Sequence, residues 1–284
     1  MSMRKDTEPP GYDAHLEKIE VKLLLEGIYQ CYGFDFRNYV YPSIRRRIWH
    51  RIKAEGLNSI SGLQEKILHD YGAMKRLFDD FCIHVTEMFR DPGFFLAFRT
   101  KILPFLKNKS FTRIWHAGCS SGEEVYSMAI LLSEEGLYGK TKIYATDINE
   151  EMIKKAKSGV FPLSKIRVYT ENYIKAGGKR DFSDYYQVME KNVVLKPFLI
   201  NNIFFAQHNL VTDGLFNEFD VIICRNVMIY FNRYLQMKVH KLFYDSLSLQ
   251  GFLGLGNKES LVFTDLADLY AEIDKKEKLY RKIK

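Results

Sequence analysis

Four short stretches of this chain place reactive or ligand-binding residue types at informative spacings. In the first, the apolar run Ile114-Trp115-His116-Ala117 meets Gly118-Cys119-Ser120-Ser121-Gly122 and then two acids, Glu123 and Glu124. Small residues after a strand let backbone approach a ligand closely. The spacing is not GxGxxG, and the paired acids would repel a pyrophosphate. An acidic helix start suits a ligand carrying positive charge and hydroxyls. The same residues also read as a plain turn capped by Ser120 or Ser121.

The second stretch is Ala145-Thr146-Asp147-Ile148-Asn149, with Asp147 directly after an apolar run. An acid at the end of a second strand is placed to accept hydrogen bonds from ribose hydroxyls. Asp147 or Asn149 can equally cap the helix that follows, and both roles can coexist with Asn149 as the cap. S-adenosylmethionine, with its sulfonium, ammonium and ribose, combines what Glu123, Asp147 and the small loop at Gly118 would recognise.

The third stretch runs from Phe219 to Phe231, a buried-type strand that enters Arg225-Asn226 and then an apolar turn holding Tyr230. Upstream, Gln207-His208-Asn209-Leu210 closes another strand at the same edge. Arg225 can instead pair with a surface acid, and Tyr230 can pack in a core. The fourth is His84-Val85-Thr86-Glu87-Met88-Phe89-Arg90-Asp91-Pro92. Thr86 and Arg90 stand one helical turn apart and could face the same way, unless Arg90 pairs with Asp91 or Glu87.

The elements that must position these residues follow from periodicity. After a loose tail over residues 1–12, residues 13–100 read as a helical domain. Leu16, Ile19, Val21 to Leu25 and Ile28 mark one helix, stopped by Gly33. Pro42 opens the next, with Ile44, Ile48 and Ile52 on one stripe until Gly56. Ser59 or Ser61 can cap a third, and a fourth covers 74–84. From 101 to 284 the pattern alternates, with strands expected at 113–117, 142–146, 203–206, 219–224 and 251–255. Helices are expected at 123–132, 150–157 and 233–249. Alternation of this kind predicts an α/β fold, a doubly wound, mostly parallel sheet. Residues 161–202 break the pattern and read as an inserted lid or subdomain of unassigned secondary structure.

Composition narrows the setting. The 284 residues are 46% hydrophobic and 27% charged, ordinary for a globular chain. Four scattered cysteines form no CxxC pair, so neither a disulfide framework nor a metal centre is expected. The polar start with Pro9-Pro10 does not read as a signal peptide, and no run is long enough to cross a bilayer. A cytoplasmic protein without stable membrane insertion is expected. The net charge of +7 favours acidic partners without choosing among them.

Taken in order, the four stretches resemble the chemotaxis receptor methyltransferase (CheR) family. The matching segments are Thr86 to Pro92, Arg113 to Glu124, Ala145 to Asn149, Asn209-Leu210, Phe219 to Phe231, and Gly256-Asn257-Lys258-Glu259-Ser260-Leu261. The resemblance implies a small all-α domain before a Rossmann-like methyltransferase domain. S-adenosylmethionine would be the donor and S-adenosylhomocysteine the product. The acceptors would be glutamates of methyl-accepting chemotaxis receptors. It carries cofactor contacts onto Thr86, Arg90, Glu123 (with Glu124 as a further candidate), Asp147, Asn209, Leu210, Arg225 and Asn226, which Gly118 joins from the loop reading, and places Arg90 and Tyr230 beside the reacting centre. The chain departs from the family at His84, where Asn is frequent, and at Val125, where Pro is frequent. Gly256-Asn257-Lys258-Glu259-Ser260 stands for a common Gly-His-Ser-Glu-Ser. Some members carry a receptor-tail-binding β-subdomain at 161–202, but the run from Gly177 to Tyr186 does not match that version.

Arg46, Arg47 and Lys53 can avoid the buried stripe of their helix together and are the expected receptor-binding face, against a merely solvated one. The expected protein is a monomer, with recruitment to receptor arrays as a further expectation. A nucleic-acid methyltransferase fits the charge, but no Asn-Pro-Pro-Tyr-like pocket or Pro-Cys motif is present, so no nucleic acid partner is expected. A non-catalytic donor-binding scaffold and a methyltransferase of another acidic protein remain as alternatives.

Overall fold

Residues 13–82, 85–262 and 264–284 are described in a computed structural model, which divides into two units. The expected tail 1–12 and the departure at His84 lie outside the described residues.

The first unit holds four helices and a returning segment, Tyr230–Gln236. Asp13 caps α1 (Ala14–Tyr32) by accepting from the His15 N–H at 2.7 Å, and Gly33 ends it at φ 76°. A left-handed residue is what a helix stop of this kind needs, and glycine adopts it without steric cost. Helix α2 (Tyr41–Ala54) opens on Pro42 and buries Ile44, Ile48 and Ile52. Of the two serines, Ser59 caps α3 (Ile60–His69), accepting from Gly62 N at 3.0 Å. Helix α4 (Tyr71–Phe81) starts earlier than its apolar pattern suggests, because Asp70 supplies the cap. The returning segment is tied in by backbone: Val40 N donates to Tyr230 O at 2.8 Å and Asn232 N to Asn38 O at 2.8 Å.

The expected domain boundary near residue 100 is corrected to about 83/84. Helix α5 (Pro92–Ala97), a π-helical turn (Phe98–Ile102) and α6 (Leu103–Lys107) belong to the second unit. Phe89, Phe94, Phe95, Phe98 and Leu103 sit in its core. Periodicity reveals a helix but not which core its apolar face joins.

The rest of the second unit alternates. In order come β1 (Thr112–Ala117), α7 (Glu123–Glu134), β2 (Thr141–Asp147), α8 (Glu150–Ser158), β3 (Val160–Pro162), α9 (Ile166–Lys175), β4 (Tyr186–Met189), β5 (Asn192–Leu195), β6 (Ile203–Gln207), β7 (Phe219–Cys224), α10 (Arg233–Ser246), β8 (Leu247–Leu255), β9 (Tyr270–Asp274) and β10 (Leu279–Lys282). The first turn of α10 belongs to the first unit. The main sheet has the order β6-β2-β1-β7-β8-β10-β9. Strands β6 to β8 are parallel, and β10 is antiparallel to both its neighbours. Register aligns the carboxyl ends: Ala117 with Thr146, Asp147 with Gln207, and Cys224 with Leu255. Every motif of the parallel strands therefore emerges at one edge.

Residues 161–202 form an antiparallel sheet, β3-β5-β4, together with α9. Phe161, Tyr169, Tyr173, Phe182, Tyr185 and Val193 share one buried cluster with Phe89 and Phe95. The insert is a packed subdomain of the second unit, not a detached lid.

Candidate functional site

The loop after β1 is shaped by its small residues. Gly118 has φ 82°, and its N–H and that of Cys119 both donate to Thr146 O at 2.8 Å. A Cβ at Gly118 would drive into Val227, and one at Gly122 (φ 94°) would sit 3.0 Å from Ala156 Cβ. Larger residues would push these loops apart.

Asp147 is held at the end of β2 by two backbone donors, Ser120 N to Oδ2 at 2.8 Å and Asn149 N to Oδ1 at 2.9 Å. Asn149 performs the capping, accepting from Glu151 N at 2.9 Å. That division leaves Asp147 as a fixed, 9% exposed carboxylate at the sheet edge. Each of its oxygens can accept more than one donor, as a pair of ribose hydroxyls requires. His208 N donates to Asp147 O at 3.1 Å, which sets Asn209 and Leu210 beside it. Asn209 Oδ1 accepts from Val211 N at 3.0 Å, its own N–H donates to Asp213, and Leu210 is buried.

The two glutamates at the start of α7 differ sharply. Glu123 is 2% exposed. It accepts from Ser121 Oγ at 2.7 Å and from Tyr169 Oη at 3.2 Å, and Lys165 Nζ lies 3.9 Å away. Burial pushes its carboxyl above the ordinary value, against the pull of those donors. Glu124 is also raised by burial, but His116 and Arg225 more than offset this and hold it low. Nδ1 of His116 sits 3.0 Å from Glu124 Oε1, and Arg225 Nη1 donates to Oε2 at 2.9 Å.

Arg225 follows β7 at the same edge. Its side chain is 1% exposed and is engaged within the protein. It donates to Glu124, to Asp91 Oδ2 at 2.7 Å and to Arg90 O at 3.3 Å, and lies 4.2 Å from the Phe94 ring centroid. A guanidinium desolvated among carboxylates and an aromatic face is a structural hub. It ties down the loop at the Arg90 carbonyl. Asn226 follows at φ 62°, half-buried, in a turn organised by Glu259. That buried carboxylate accepts from the N–H groups of Gly256, Asn226, Val227 and Met228 at 2.7 to 3.0 Å.

Thr86 and Arg90 are not on a helix, so their expected shared helical face is also corrected. Residues 85–90 form a loop in which Phe89 (φ 52°) and the following Asp91 (φ 54°) take left-handed conformations. Arg90 Nη1 donates to Val85 O at 2.8 Å, and Asp91 is taken by Arg225. Tyr230 lies in the first unit, where the Arg47 guanidinium stands 5.6 Å from its ring centroid.

On α2, Arg46 and Lys53 are exposed, but Arg47 is only 9% exposed. Arg47 Nη1 donates to the carbonyls of Asp80 and Phe81 at 2.6 and 2.9 Å. These belong to the last turn of α4, whose carbonyls have no partner within their own helix. The expected basic face therefore loses Arg47. Beside Arg46 and His50 lies a concavity of about 390 Å³ that also exposes the acids Asp79 and Asp80.

Sequence reasoning missed Glu259, His116 and Tyr169. Glu259 stood inside a noted stretch, and its central place in Gly-Asn-Lys-Glu-Ser was the available signal. Tyr169 had none, since its partner lies 46 residues away. Among the described residues, no group of three His, Cys, Asp or Glu is arranged to hold a metal ion, and no helix is long and apolar enough to cross a membrane.

The second-unit residues fit S-adenosylmethionine: a close-approach loop, a fixed acid for hydroxyls and a buried acid at a helix start. Residues 84–276 match the CheR methyltransferase, SAM binding domain, and residues 19–82 match the CheR methyltransferase, all-alpha domain. A Pseudomonas putida protein provisionally named methyltransferase Cher3 is 47% identical over 264 residues, 93% of this chain and 97% of its own length. The chemotaxis protein methyltransferase of Borreliella burgdorferi is 28% identical, covering 87% of this chain and 90% of that protein. That of Escherichia coli is also 28% identical, with 87% and 85% covered. The chain belongs to the CheR methyltransferase family, with an all-α domain ahead of a Rossmann-like S-adenosylmethionine-binding domain.

Proposed function

We propose that this protein transfers a methyl group from S-adenosylmethionine to glutamate side chains of chemotaxis receptors, leaving glutamyl methyl esters. The observation that carries the reading is Asp147, fixed by two backbone N–H groups beside the small loop at Gly118. Relatives named chemotaxis protein methyltransferases support the choice of acceptor.

The donor supplies a methyl group on a sulfonium, already activated for in-line displacement. A glutamate acceptor has an ordinary pKa of about 4.3 and is ionised at neutral pH, so no strong base is needed. The protein's contribution is then orientation and exclusion of water. Asp147 holds the ribose hydroxyls, while Glu123 offers negative charge to the cationic end of the donor. Backbone and side chain at Asn209, Leu210 and Asn226 line the remainder. Thr86 and Arg90 sit on the loop that Arg225 ties down through the Arg90 carbonyl. The Arg90 guanidinium holds the anionic acceptor by a charge-assisted bond. Arg46 and Lys53 present positive charge to acidic receptor helices, which would bring a cytoplasmic monomer to the receptor array.

The test is transfer of labelled methyl from S-adenosylmethionine to receptor-containing membranes. The reading expects base-labile label in the receptor band, because carboxyl methyl esters hydrolyse easily. It also expects Arg90→Ala to lose most of that transfer while keeping its circular dichroism. Base-stable label, or full turnover by the Arg90 variant, contradicts it.

A further inference from the structure

The insert reaches the proposed donor site through a single helix face. On α9, Tyr169, Asn172 and Tyr173 recur at helical spacing, with Ala176 at the C-cap, and turn toward the core of the second unit. Tyr169 is fully buried, and its hydroxyl donates to Glu123 Oε1 at 3.2 Å. One turn on, Asn172 Nδ2 donates to Met88 O at 3.2 Å and lies 3.4 Å from Glu87 Oε2. Tyr173 packs edge-on against Phe89, with centroids 5.3 Å apart. One helix therefore touches both the acid at the start of α7 and the loop that carries Thr86 and Arg90.

That loop needs holding. Left-handed backbone at Phe89 and Asp91 is unfavourable for residues with a Cβ and persists only where surroundings impose it. Its tethers are Phe89 N to Ser127 Oγ at 2.8 Å, Arg225 to the Arg90 carbonyl, and Asn172 to the Met88 carbonyl. We infer that α9 is a positioning element of the methyl-donor site, with Tyr169 orienting Glu123 and Asn172 holding the 86–90 loop. This rests on the donor-binding reading given above.

A purely structural tyrosine would not affect how donor binding depends on pH. Tyr169 should affect it, because its hydroxyl bonds to Glu123. The other groups facing that carboxylate are the Ser121 hydroxyl, the Lys165 ammonium and the buried Cys119 thiol. Without the Tyr169 hydroxyl, burial acts against the ionised acid with one donor fewer, so protonation begins at higher pH.

The experiment is calorimetric titration of S-adenosylhomocysteine into the full chain at neutral and mildly acidic pH, with kcat and KM from the labelled-methyl assay. Tyr169→Phe keeps the buried ring. It is expected to bind about five- to tenfold more weakly, as loss of one bond to a charged group implies, with its acid-side weakening moved to higher pH. Asn172→Ala is expected to lower kcat severalfold with a smaller change in donor KM. The control is Tyr185→Phe, which removes an equivalent hydroxyl from the same insert, 3.0 Å from Glu134 at the far end of α7. It should bind like wild type. Folded Tyr169→Phe with wild-type affinity and pH profile, or equal weakening in the Tyr185 control, overturns the inference. Should Tyr169→Phe not fold, the partly exposed Asn172 decides alone, and an unchanged kcat there overturns it. Failure of the wild-type chain to bind S-adenosylhomocysteine overturns the donor-binding reading itself, and the inference with it.

Discussion

Helix α7 begins with Glu123-Glu124 and ends with Glu134-Glu135, so the same residue pair meets opposite environments. At the carboxyl end the helix dipole disfavours acids, and the protein supplies cations. Arg99 donates to Glu134 at 2.6 Å and to Glu135 at 2.7 Å, and Lys179 reaches Glu135 at 2.6 Å. Tyr173 and Tyr185 add hydroxyls to Glu134. Burial raises Glu135, but Lys179, Arg99 and Lys107 outweigh it and bring it down to about 2. At the amino end the dipole favours acids, yet only Glu124 is tightly paired with cations. Glu123 is held chiefly by neutral hydroxyls and sits above its ordinary value through burial. A buried acid whose cation, Lys165 Nζ, stands off at 3.9 Å is what a site for a cationic ligand would use. One end of α7 is closed by ion pairs; the other is the end proposed to bind the donor.

Arg99→Ala should break the stable end most severely. Removing one partner from a buried ion network strands the others, for an expected loss of about 3–5 kcal/mol by urea unfolding. Donor affinity of the remaining folded protein should not change. Glu123→Gln should show the converse, with stability within about 1 kcal/mol of wild type but S-adenosylhomocysteine affinity down about tenfold. Equal stability losses in both variants would erase the distinction between the two ends. The smallest expected effect is in acid titration. Glu134 and Glu135 are lowered in the folded chain, so their contribution is present above 4.5 and is lost as pH falls, for Glu135 toward about 2. Glu123 is raised, so its folded form binds a proton more tightly and the fold loses stability as pH rises through its folded value. Unfolding midpoints against pH should therefore show a shallower acid limb in Arg99→Ala and a steeper net acid loss in Glu123→Gln.

What could be read from sequence was local. Gly33 as a helix stop, Pro42 as an opener, Asn149 as the α8 cap and the strand–loop–helix at Gly118 each depend on neighbours a few residues away. The parallel sheet and its shared edge followed from their alternation. Non-local determinants were not legible. Arg47 turns inward because carbonyls 33 and 34 residues distant lack partners. The Arg225 side chain turns into the protein because Asp91 and Glu124, 134 and 101 residues away, engage it. Phe94, Phe95 and Phe98 carry helical spacing in either unit, so the boundary shifted from 100 to 83/84. Strands β9 and β10 went unassigned, as their five and four residues lie about a polar turn, Lys275 to Lys278, with little apolar alternation. Within the candidate site, the residue types proposed to face the donor stood out in the sequence, while the groups that hold them, Glu259, His116 and Tyr169, did not.

The central claim is that the sheet edge around Asp147 holds the methyl donor. Calorimetric titration of S-adenosylhomocysteine into the intact chain and into Asp147→Ala tests it most directly. Saturable one-to-one binding by the wild type, weakened at least about tenfold by loss of two charge-assisted hydroxyl bonds, is the predicted result. No binding by the wild type, or equal affinity in the two proteins, would contradict it.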